Sequence, residues 1–156
     1  MRWPASVCAG IAAVLVIAGV LTWPWRGRNT APQPPYQARV DMKTFMEHVL
    51  TPAAKIVWRV NGVMIDASGE HDLGPKSDAD WEEIVSGAAT LAEAANALMI
   101  PQRALDAEWN AYAGRLGDAA GKAYAAAEAH DLKTISEISD RLDGVCAACH
   151  RHYGLE

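Results

Sequence analysis

Three residues near the end of the chain, Cys146, Cys149 and His150, stand in the spacing Cys-x-x-Cys-His. On a helix turning about 100° per residue, the two thiols and the imidazole fall within roughly one third of the circumference. Two thiols on one face can reach the two vinyl groups of a single porphyrin, and the imidazole beside them is a strong-field ligand for iron. The run is the attachment signature of a c-type haem. One covalently bound haem c is therefore expected, joined to Cys146 and Cys149 with His150 as an axial ligand. A structural zinc site would need a second Cys or His pair at metal spacing, and the only other cysteine, Cys8, lies in an apolar run. A thioredoxin-like dithiol belongs in a βαβ setting that this sequence lacks.

Four segments with apolar residues at alternating spacings of three and four must position these groups. The first carries Met42, Met46, Val49, Ala53, Ile56 and Val60, is interrupted at Thr51-Pro52 and stops at Asn61-Gly62. Residues 63–76 contain Gly69, Gly74 and Pro75 and read as a long, mostly irregular connection. The second segment opens at Ser77 or Asp78, a capping residue followed by acids, and runs through Trp81, Ile84, Ala88, Leu91, Ala95 and Leu98. The third carries Leu105, Trp109, Tyr112, Leu116, Ala119, Ala123 and Ala126. The fourth carries Leu132, Ile135, Ile138, Leu142, Val145 and Cys149, with Tyr153 one turn on and Gly154 closing it. Sustained 3-4 spacing predicts an all-α fold, an antiparallel left-handed four-helix bundle. Because Cys149 continues the apolar seam of the fourth segment, the bound group is expected inside one end of that bundle.

The rest of the chain divides by composition. Residues 1–28 hold an apolar run, 5–22, bracketed by Trp3, Trp23 and Trp25 and followed by Arg26 and Arg28. Such a run is long enough to span a bilayer, and no small-x-small cleavage site follows it, so a membrane anchor is favoured over a cleaved signal peptide. Residues 29–38 contain three prolines and read as a stiff linker. Residues 39–156 are the expected haem domain. They carry 11 Lys and Arg against 19 Asp and Glu, a net of −8 within a chain of net −5. That balance excludes nucleic acid as a natural partner and favours a basic protein partner.

A Cys-Ala-Ala-Cys-His run at the extreme C-terminus of an alanine-rich four-helix chain resembles the cytochrome c′ family. The resemblance covers residues 39–156. It implies a haem clamped between the first and last helices, with the first helix supplying the residue over the distal face. High-spin members place an apolar residue there, and low-spin relatives a Met. The Phe45-Met46 pair resembles the Leu-Met pair of the low-spin relatives, which makes Met46 the expected sixth ligand and Met42 the alternative. Lys43 and Arg151 are candidate partners for the haem propionates, and Tyr153 a candidate contact at the haem edge. Trp58, off the seam of its helix, and Trp81 leave room for a homodimer, since the first two helices form the dimer contact in this family, though core filling is the simpler role of each. His48, His71, His130 and His152 read as ordinary surface residues.

The expected function is electron transfer, without enzymatic turnover. Haem attachment to Cys-x-x-Cys-His occurs outside the bacterial cytoplasm, so the domain is expected in the periplasm, tethered to the inner membrane. The alternative is a five-coordinate haem protein that binds nitric oxide or carbon monoxide.

Overall fold

The computed structural model describes residues 36–155. The apolar run at 5–22 and most of the proline-rich stretch lie outside the described residues. Among those described, no helix is long and apolar enough to cross a membrane.

Four helices form an all-α bundle with a small β-hairpin. The first, α1, changes its winding along its length: an α-helical turn Met42–Phe45, a π-helical segment Met46–Leu50, an α-helical stretch Thr51–Trp58 and a 3-10 turn Arg59–Asn61. Strands β1 (Val63–Asp66) and β2 (Gly69–Asp72) follow, and then α2 (Asp78–Leu98), α3 (Ala107–Glu128) and α4 (Leu132–Tyr153). Each helix opens on a side-chain oxygen that satisfies an orphan backbone N–H. Asp41 accepts from Thr44 N, Asp106 from Trp109 N and Asp131 from Thr134 N. Ser77 and Asp80 form a reciprocal capping box. At the far end, Gly154 adopts φ 65°, and Leu155 N–H donates to His150 O while Gly154 N–H donates to Arg151 O. This glycine-dependent stop places His150 on the final turn of α4.

The hairpin corrects the expectation of an irregular connection. Val63 pairs with Asp72 and Asp66 with Gly69. Val-Met-Ile favours extended backbone, Asp66 accepts from Ser68 N at 2.7 Å to form the turn, and Gly69 takes φ 126°, which a side chain would resist. Turn chemistry at Asp66-Ala67-Ser68-Gly69 thus organised a stretch whose glycines suggested an irregular connection.

The α2 seam is buried as its spacing predicts, from Trp81 to Leu98. Leu105 and Leu132 are exposed, because the helices they were assigned to start at or after them. On α1 the buried set is Phe45, Leu50, Ala53, Ala54, Val57 and Val60, not the expected Met42-Met46-Val49 line. The π segment explains the change. Pro52 has no N–H to give His48 O, and its ring crowds that carbonyl. The ladder opens, and Thr51 N–H bonds instead to Met46 O, five residues back. One wider turn brings Phe45 and Leu50, five apart, onto the same inward face.

Where α1 meets α2 the backbones touch. A Cβ on Gly87 would stand 3.0 Å from Ile56 Cβ and 3.1 Å from the Ala53 carbonyl oxygen. Gly87→Ala gains helix propensity of about 1 kcal/mol but forces a backbone atom to shift, at a cost of about 1–3 kcal/mol. The expected result is a lower urea midpoint, despite the better helix former.

Arg103 joins the start of α1 to the α2–α3 connection. It is buried, its guanidinium lies 4.1 Å over the Phe45 ring, and it donates to Ala97 O and Val40 O. At the other end, Asn61 donates to Ser136 O and to Asp140, so the end of α1 lies beside the first half of α4.

Candidate functional site

Met46, Cys146, Cys149 and His150 line one cavity, together with side chains from all four helices. The space between them is about 660 Å³ when the part open to solvent is counted. From α1 come Met46, Leu50, Ala54 and Trp58, a stripe at spacing four whose first step lies in the π segment. From α2 come Leu91 and Leu98, and from α3 Trp109, Tyr112, Ala113 and Leu116. The wall on the α4 side is Val145, Cys146, Cys149 and His150. It is therefore an apolar slot with one imidazole and two thiols on one side and a thioether on the other.

Cys146 and Cys149 are free thiols. Burial, with Asp143 and Cys149 adding to it, pushes the Cys146 thiol up to about 11. Burial also raises Cys149, against the opposing pull of the Arg115 guanidinium. Neutral sulfur suits these positions, whereas reactive or metal-binding cysteines carry depressed values. Among the described residues no group of three or more His, Cys, Asp or Glu side chains is placed to hold a metal ion.

The remaining expected site residues separate. Met42 packs on the core but is not part of the cavity wall. Lys43 pairs with Glu47 at 3.7 Å in solvent, and Arg151 is exposed; neither lines the cavity. The cation that stands beside it is Arg115, whose guanidinium lies 4.2 Å over the Tyr112 ring. Tyr153 closes the end of the bundle behind the wall: its ring meets Trp109 edge-on at 5.3 Å, and its hydroxyl donates to Asp106 at 2.7 Å. Burial and then that carboxylate push the Tyr153 phenol up to about 12. Trp109 N–H first, and the Tyr153 hydroxyl after it, hold the Asp106 carboxyl below its usual range.

The other histidines take local roles. His71 Nε2 contacts Ser68 and Asp66 in the hairpin, and His130, at φ 51°, stacks on Trp81 with ring centroids 4.8 Å apart. His152 packs against Tyr112 and Tyr153, and His48 is exposed on α1.

Leu50, Trp58 and Arg115 were not assigned to the site from sequence. The first two carried a signal, since 46, 50, 54 and 58 form a strict four-residue stripe. A uniform α-helix would wind that stripe off its face by about 40° per step, and the wider π turn removes the drift of the first step, from 46 to 50.

Compared with family models, curated proteins and solved structures, the chain matches none.

Proposed function

We propose that residues 39–156 are a c-type cytochrome of the cytochrome c′ kind, a left-handed antiparallel bundle that holds one covalent haem and transfers electrons. The observation that carries this reading is the convergence of Met46 with Cys146, Cys149 and His150 on a single apolar cavity. The residues fit the group. Thioether bonds at Cys146 and Cys149 would keep both sulfurs neutral, the state that burial favours there. The His150 imidazole and the Met46 thioether would hold the iron, and the Schellman stop at Gly154 and the π turn that starts at Met46 would fix each residue's place on its helix. The haem supplies the one-electron iron couple. Leu50, Leu91, Leu98, Trp109 and Leu116 give the cavity apolar walls, and an iron held by two protein ligands would change little between oxidation states. The acidic surface suits a basic redox protein at modest ionic strength. Periplasmic location and an inner-membrane tether through residues 1–28 belong to the same reading.

The test is the optical spectrum of the full chain, expressed with haem-attachment machinery, in ferric, ferrous and carbon monoxide-treated ferrous forms. A far-red sulfur-to-iron band without a carbon monoxide shift is the expected result. A broad high-spin spectrum that shifts at once with carbon monoxide would transfer the assignment to gas binding, and a colourless protein would remove haem altogether.

A further inference from the structure

The buried side chains of α4 are Ile135, Ile138, Ser139 and Leu142, and none follows them. Beyond Leu142 the inward face of the helix, Val145, Cys146, Cys149 and His150, borders the cavity instead of a packed neighbour. A helix end with few buried contacts opens at low cost. The stop at Gly154 satisfies carbonyls within α4 itself and ties the helix to nothing else.

One side-chain bond does tie it. The Tyr153 hydroxyl donates to Asp106 Oδ1 at 2.7 Å, the only side-chain hydrogen bond among the described residues that joins α4 beyond Leu142 to another element. Its acceptor is firmly held. The same Asp106 oxygen takes the Trp109 N–H at 2.7 Å and caps α3. Trp109 is buried, and its Nε1–H donates to Leu98 O at 2.8 Å. The Tyr153 ring meets that indole edge-on at 5.3 Å. Bond and ring contact together join the last turn of α4 to a block made from the end of α2 and the start of α3. Tyr153 lies three residues past His150 on that turn, so whatever holds Tyr153 also limits the tilt and rotation of the backbone that carries the imidazole.

We propose, on the strength of the haem reading, that Tyr153 and Asp106 are positioning residues for His150, their hydrogen bond keeping the imidazole in one orientation toward the iron. They act through the backbone of α4, not at the metal. Tyr124 is the matched control: its hydroxyl also bonds a carboxylate, that of Glu128, but within α3.

The experiment compares the full-length, haem-loaded chain with Tyr153→Phe, which keeps the ring against Trp109 and removes only the hydroxyl, and with Tyr124→Phe. Backbone amide exchange at residues 149–155 is expected to quicken about three- to tenfold in Tyr153→Phe, the lower range for a bond exposed to solvent, with residues 135–142 unchanged. The ferric electron paramagnetic resonance spectrum, whose g values follow the orientation of the axial imidazole, should gain a second set of lines. Tyr124→Phe should match the wild type in both measurements. Wild-type exchange at 149–155 would overturn the proposal. So would a rise shared with 135–142, since the bond would then contribute only to global stability. Faster local exchange with an unaltered resonance spectrum also overturns it, because the haem alone would then fix the imidazole.

Should Tyr153→Phe fail to fold, Asp106→Asn answers. Its amide oxygen still caps α3, but the bond from Tyr153 loses its charge. A smaller rise confined to 149–155 is expected, and wild-type exchange refutes the clamp. Attached haem, measured first, separates the two levels. A chain without haem removes the haem reading and this inference together, whereas loaded chains that behave alike remove the inference alone.

Discussion

On the haem reading proposed above, Met46→Ala is expected to turn a protein insensitive to carbon monoxide into one that binds one carbon monoxide per haem. The far-red sulfur-to-iron band should vanish, and the reduction potential should fall, because a thioether ligand favours ferrous iron. Met42→Ala should leave all three properties unchanged. The contrast follows from the wall of the cavity, which includes Met46 and not Met42. Met46 is half-buried and its carbonyl is tied to Thr51 N–H through the π turn. The neighbouring Phe45 is pinned under the Arg103 guanidinium at 4.1 Å. The thioether thus extends from a backbone held on both sides. The opposite pattern, with Met42→Ala opening the iron, would show that α1 rotates when the group binds, and it would remove the π turn from the account of ligation.

Leu142→Ala should be the most damaging conservative core change, lowering unfolding free energy by about 2–5 kcal/mol. Leu142 is fully buried and lies on α4 one turn before the Cys-x-x-Cys-His run, in line with Ile135 and Ile138. The alanines that dominate α2 and α3 have little side chain with which to collapse into the space left behind. Since a domain of this size is stable by only about 5–15 kcal/mol, the loss is a large fraction of the total. Urea denaturation of Leu142→Ala beside Lys133→Ala checks it. Lys133 is 81% exposed and pairs only with Glu137 on the same helix, and such pairs contribute about 0.3–0.5 kcal/mol. Comparable losses in the two variants would mean that α4 frays in the native state and that its seam is not the core.

The two predictions draw on parts of the molecule that were unequally legible. The seams of α2 and α4 could be read almost residue by residue, because Trp81, Ile84, Ala88 and Leu91, like Ile135, Ile138 and Leu142, follow an undisturbed helical period. The caps at Ser77 and Gly154 were equally plain. Each depends on bonds within a few residues of chain, so local sequence contains the whole cause. The α1 seam was misread at Met42, Met46, Val49 and Ile56, which are only partly buried. Pro52 was visible as an interruption, yet a proline can end, kink or re-wind a helix. Which occurs depends on whether Phe45 and Leu50 both find partners inward. The hairpin at 63–72 failed for a related reason: Gly69 and Gly74 signal a turn, but the pairing of β1 with β2 depends on residues up to nine apart.

By itself, then, the sequence determined the Cys-x-x-Cys-His spacing at one end of the chain, the helical class, the caps at Ser77 and Gly154 and the net acidic charge. Each of these follows from residue type and near-neighbour spacing. Tertiary structure decided which methionine faces the cysteines and the histidine, that Trp58 belongs to the cavity, and that Arg115 is the cation beside it. A cavity is the space left among four helices, and no single helix encodes it. Its walls follow from how each helix is rotated, and on α1 one lost hydrogen bond at Pro52, with the wider turn it permits, sets that rotation.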